Sequence, residues 1–204
     1  MKTNFEATNI LRQEHQTILK ALGVLDILCN CLSEGQKISS DHLRGLMTFI
    51  LEYAGAYHHG KEEEILLPYL DKVGFPKNEM RLSELLDEHI LQRGYVEAMC
   101  ETLAHTYSLD SPDATQRFIK QARNFIGLLS EHILKEDSIL IPQAERLFSA
   151  SQQQEILRAF EENGKQKGIT QRIQNLCLQI DELEKIYSPL KKSKTTCCGC
   201  GMNQ

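Results

Sequence analysis

Apolar positions along the chain recur at intervals of three and four, and no segment sustains the alternation of a strand. Leu11, His15, Ile18, Leu22, Leu25 and Cys29 form one stripe. They predict a helix over about 6–33, closed by Gly35. A second helix begins near Ser40 or Asp41, both good N-caps, and ends before Gly74. Its inward face reads Leu51, Gly55, His58, Glu62 and Ile65. A third begins near Pro76 and ends near Tyr107, with Leu82, Leu86, His89, Arg93, Val96 and Cys100 on its stripe. A fourth opens at Ser111-Pro112, an N-cap followed by proline in the first turn. Its stripe is Phe118, Ala122, Phe125, Leu129, His132, Glu136 and Ile139. Short connections make neighbouring helices antiparallel. The fold class is therefore all-α: an up-down-up-down four-helix bundle over residues 1–148. Two weaker helical segments, about 151–162 and 169–187, predict a C-terminal appendage over 149–187. Residues 188–204 open with Ser188-Pro189, carry several lysines and read as a flexible tail.

Composition narrows the function classes. A chain of 204 residues, 41% apolar, can bury a core without disulfides. Only 12 Gly and 5 Pro argue against a turn-rich β fold. The net charge of −5 leaves no basic excess for nucleic acid or an anionic membrane. No apolar run approaches the roughly 20 residues of a bilayer span, and the N-terminus lacks a signal-peptide core. A soluble, cytoplasmic protein with its seven cysteines as thiols is the expectation. Cys197, Cys198 and Cys200 supply three donors, one short of a closed tetrahedral site. They read either as an exposed end or as a soft-metal, redox or relay element facing a partner.

One repeat carries chemistry. His58-His-Gly-Lys-Glu62 and Pro68 match His132-Ile-Leu-Lys-Glu136 and Pro142, with an acid after each glutamate and aliphatics before each proline. Residues i and i+4 share a helix face, so each His–Glu pair points inward. Buried unpaired carboxylates cost several kcal/mol, and a metal pair removes that cost. His15 and His89 add one inward histidine on each remaining helix. Four imidazoles and two carboxylates suit two iron ions. With both glutamates bridging and an oxide or hydroxide shared, about one position per iron stays open. His59 and Glu63 are expected about 100° off the stripe. Glu63, Glu64 and Asp137 read as a solvated acidic face, with orientation of a histidine N–H as the alternative. Pro68 and Pro142 read as devices that kink or end a helix.

This pattern resembles the hemerythrin-like, or HHE cation-binding, proteins over about residues 6–147. The anchors are Leu11-Arg-Gln-Glu-His15, His58-His-Gly-Lys-Glu62 and His132-Ile-Leu-Lys-Glu136. The resemblance implies a carboxylate-bridged, non-haem di-iron centre with His15, His58, Glu62, His89, His132 and Glu136 as ligands. The set lacks the fifth histidine of the oxygen carriers, and Tyr53, Tyr57 and Tyr95 lie near the ligands in sequence. It looks more like the iron-centre repair proteins and the bacterial proteins linked to nitric oxide or peroxide. The expected ligand is O₂, NO or peroxide, and the expected partner a redox or iron-acceptor protein. A non-catalytic sensor or metal-storage module is the second reading.

Overall fold

A computed structural model describes residues 6–76, 80–106, 109, 111–166 and 169–192. Helix α1 spans Glu6–Ser33. Gly35, at φ 72°, lets the chain turn so that the Gln36 N–H reaches the Cys31 carbonyl. That bond satisfies a carbonyl the helix end would otherwise leave open. Gly74, at φ 78°, does the same for the second helix through Phe75 and Leu70. Helix α2 is capped by Ser39, one residue earlier than expected, whose Oγ accepts the His42 N–H.

Helix α2 is continuous from Ser40 to Lys72 without being uniform. It is α-helical over Ser40–Phe49, His59–Lys61 and Leu67–Lys72 and π-helical over Ile50–His58 and Glu62–Leu66. Helix α3 spans Leu82–Thr106, starting later than the expected Pro76. Helix α4 runs from Pro112, capped by Ser111, through Lys135, a π stretch at Glu136–Leu140, and Ile141–Leu147. Helices α5 (Ala150–Gln166) and α6 (Thr170–Lys192) follow. Helix α6 continues through Pro189, which moves the expected tail boundary at 188 outward. Cys197, Cys198 and Cys200 lie outside the described residues.

Contacts fix the topology. Glu14 meets His58 and Lys61 across α1 and α2, and Glu63 meets His89 and Arg93 across α2 and α3. Glu88 meets His132 across α3 and α4, and Arg12 meets Glu145 across α1 and α4. Each helix is antiparallel to the next, and the ring closes. Helix α6 packs on α1 and α2, and α5 on α1 and the Glu62–Leu66 stretch. Arg172 grips Glu52 through two hydrogen bonds, and Lys20 pairs with Asp181. A Cβ on Gly45 would strike the Gln179 amide, so glycine admits α6 close to α2.

Two buried apolar clusters fill the bundle. One gathers Ile18, Leu25, Leu46, Phe49, Met99, Phe118 and Phe125. The other gathers Leu11, Leu66, Leu70, Leu85, Leu140 and Phe160. Between them, on all four helices, lies a polar layer. One 18-residue window of α1 is apolar enough by length and composition to cross a membrane, contrary to the sequence reading. In the fold α1 is a bundle helix that carries buried Glu14 and His15.

Candidate metal centre

The polar layer is built by residues one turn apart on each helix. His15 lies between Leu11 and Ile18, and His89 between Leu85 and Val96. His58 with Glu62, and His132 with Glu136, complete it. All six side chains are at most 1% exposed. The inward line of α3 is Leu85, His89, Gln92, Val96 and Met99, whereas Leu86 and Arg93, expected on it, face outward.

The two glutamates each present one oxygen to either side. Glu62 Oε1 lies 3.4 Å from His58 Nε2 and 3.9 Å from His15 Nε2, and Oε2 lies 3.5 Å from His89 Nε2. Glu136 Oε2 lies 3.2 Å from His15 Nε2, and Oε1 lies 3.2 Å from His132 Nε2. Each carboxylate thus spans from the His15/His58 pair to the His89/His132 pair. All four glutamate oxygens, and Nε2 of His15 and His58, are buried without a hydrogen-bond partner.

Each of these imidazoles is held from behind through Nδ1. His15 donates to Asp137 at 2.8 Å and His58 to Glu14 at 3.0 Å. His89 donates to Glu63 at 2.8 Å and His132 to Glu88 at 2.7 Å. A carboxylate at Nδ1 fixes the tautomer that leaves the lone pair on Nε2. His89 and His132 then turn two bare Nε2 atoms toward each other at 3.0 Å. Lone pairs meet there unless a cation, or a proton, sits between them. Convergent nitrogens and oxygens in a buried layer are a donor set that fits metal cations.

Glu63 and Asp137 are therefore not a merely solvated face; the orienting role weighed for them is the one they fill. Glu64 accepts from Asn163. Glu14 and Glu88 were missed in sequence. Their signal was present: a Glu-His pair, Glu14-His15 and Glu88-His89, repeats at the same 74-residue offset as the His–Glu motif. Behind them stand Lys61, buried against Glu14 and over the Tyr57 ring, and Lys135, half-exposed and paired with Glu88.

His59 departs most from expectation. It is 3% exposed, inside the layer, and stacked on His89 with ring centroids 3.9 Å apart. The cause is backbone geometry. In the Ile50–His58 stretch, bonds run to the fifth residue back, as His59 N–H to the Ala54 carbonyl shows. Such a turn holds an extra residue and shifts the phase, so both His58 and His59 face inward. Leu51, expected inward, is 49% exposed for the same reason. The prolines neither end nor break their helices. Each opens the α stretch after a π turn closed by Leu67 N–H to the Glu62 carbonyl or Ile141 N–H to the Glu136 carbonyl.

Electrostatics match a layer poised around positive charge. Burial lowers the His15 pKa, but Asp137, Glu136 and Glu62 outweigh it and hold the group up at about 11. His132 is raised to about 9 against burial, by Glu136, Glu62 and Glu88. Glu136 is driven well down despite burial, by His132 and His15. His59 behaves oppositely: burial, with His89, His58 and His132 around it, keeps it neutral. Tyr53 stacks on Phe49 and Tyr57 faces Lys61. A cleft of about 940 Å³, bordered by Leu32, Ile38, Leu43, Leu103 and Pro112, touches none of these residues.

A helical bundle whose interior layer gathers histidines and shared carboxylates from all four helices defines a cation-binding bundle. The hemerythrin HHE cation-binding domain model matches residues 6–144, and the chain belongs to that family. Comparison with curated proteins and with solved structures found no match.

Proposed function

We propose that His15, His58, Glu62, His89, His132 and Glu136 hold two iron ions, and that the centre binds or reacts with O₂, NO or peroxide. The observation that carries this reading is the placement of both glutamates, one oxygen toward each histidine pair. Iron as the metal draws on family membership and on mixed nitrogen and oxygen ligation. Bound iron would supply redox electrons and a coordination position for a small ligand. The chain's own residues do the rest. Four carboxylates lock the imidazoles, and two apolar clusters on either side of the layer exclude bulk water. Stress response or iron-centre repair would use such a centre with a redox or iron-acceptor protein. A reducing, cytoplasmic setting is part of this reading.

The test is anaerobic purification with iron quantitation, then spectroscopy before and after O₂, NO and peroxide. Two irons per chain and a changed spectrum with turnover are expected. Binding without turnover moves the reading to a sensor or storage module. Glu62→Ala and Glu136→Ala should each lose most of the iron, because each removes a donor from both positions. Full iron retention in either variant would overturn the bridging arrangement.

A further inference from the structure

We propose that His59 is a fifth imidazole ligand. It serves the metal position of His89 and His132, so the two positions are unequal and the free coordination site falls on the His15/His58 side. This rests on the metal-binding reading above and deepens it.

The two halves of the site are related by a 74-residue offset, and His59 is where that relation breaks chemically. The offset places Ile133 opposite His59 and Ile18 opposite Gln92. Both isoleucines are buried in the apolar core. Their counterparts are equally buried, yet polar, and neither finds a hydrogen-bond partner for its side chain. Burying a polar group unpaired costs on the order of 1–3 kcal/mol by mutational measure, so the imidazole needs an explanation that packing does not give. A satisfied core histidine would have at least one ring nitrogen bonded; His59 has both bare.

Geometry says what they face. One ligand atom each from His59, Glu62, His89 and His132 fall within 4.8 Å of one another. The His59 ring is 3.9 Å from that of His89 and 5.7 Å from that of His58. It therefore joins the second position. Donors there are His59, His89, His132 and one oxygen each of Glu62 and Glu136. The first position has His15, His58 and the two remaining oxygens. A shared solvent-derived bridge would bring the second to six donors and the first to five. A small ligand then finds room on one side only.

The test compares the intact chain with His59→Ile, which installs the residue used at the matching place in the other half. Both are loaded anaerobically with ferrous iron, oxidised, and examined for iron content, Mössbauer spectrum and azide stoichiometry. The intact chain should hold two irons, show two unequal doublets in equal amounts, and take up one azide. His59→Ile should either bring the doublets together with a second azide per chain, or lose one iron. His59→Gly with added imidazole should restore the original doublets, which guards against a misfolded variant. An intact chain without two irons would sink the metal reading itself. An intact chain with two irons and a His59→Ile spectrum and azide stoichiometry identical to it would overturn only the role of His59.

Discussion

The half-site of α1 and α2 and the half-site of α3 and α4 match at six places in and around the polar layer and differ there at His59, whose counterpart is Ile133. Glu14, His15, His58, Lys61, Glu62 and Glu63 stand opposite Glu88, His89, His132, Lys135, Glu136 and Asp137, all at one offset. Away from that layer they diverge. The first half approaches His58 through a nine-residue π stretch, and the second approaches His132 through regular α-helix. The first half is covered by α5 and α6 and buries Lys61 at 1% exposure, whereas Lys135 is 42% exposed on its side chain. The polar layer is thus built from a repeated set of histidines and carboxylates. What surrounds the set is free to differ, and the difference admits an extra imidazole on one side.

The largest contrast should come from the matched pair Leu51 and Phe125. Each precedes its motif histidine by seven residues, two α-turns, which would put both inward. Phe125 is 2% exposed and Leu51 is 49% exposed, because the π stretch intervenes only in the first half. Phe125→Ala should cost about 3–5 kcal/mol through a core cavity. Leu51→Ala should stay within about 0.5 kcal/mol, as exposed substitutions do. Urea unfolding of the two variants at matched iron content checks this. Comparable losses would mean that α2 is regular before His58 and that His59 is turned out.

The two lysines give the next contrast. Lys61→Ala leaves Glu14 as a buried, half-paired charge and should cost about 3 kcal/mol or more. Lys135→Ala removes a half-exposed partner from Glu88 and should cost about 1 kcal/mol or less. Thermal unfolding of both variants reads the difference; equal shifts would mean that α5 does not seal the first half. Part of this was legible in the sequence. Helix count, the order of the bundle and the His–Glu repeat follow from local spacing, which the chain displays directly. The phase of α2 does not, because it assumes that every turn holds 3.6 residues. One π stretch invalidates that assumption for Leu51 and His59 at once. The burial of Lys61 was equally hidden, since it depends on Phe160 and on α5 folding back, a long-range event with no local mark.

The smallest effect expected is on the acids beside Glu62 and Glu136, and it tests whether the halves are equal where they look equal. Glu63 accepts from His89 and Arg93, and Asp137 accepts from His15. Glu63→Gln and Asp137→Asn keep size and an acceptor oxygen but remove the charge that makes each imidazole a better donor to metal. Loss of such a partner typically weakens metal affinity about 10–100-fold. Stability should barely move, since both side chains are about one-third exposed. Arg93, 51% exposed, adds a second hydrogen bond on Glu63. Glu63→Gln should therefore relax that clamp as well and show the greater loss. Iron affinity measured by competition with a chelator separates the two. An unchanged affinity in both variants, with unfolding also unchanged, would reduce these acids to the solvated face that the sequence first made them.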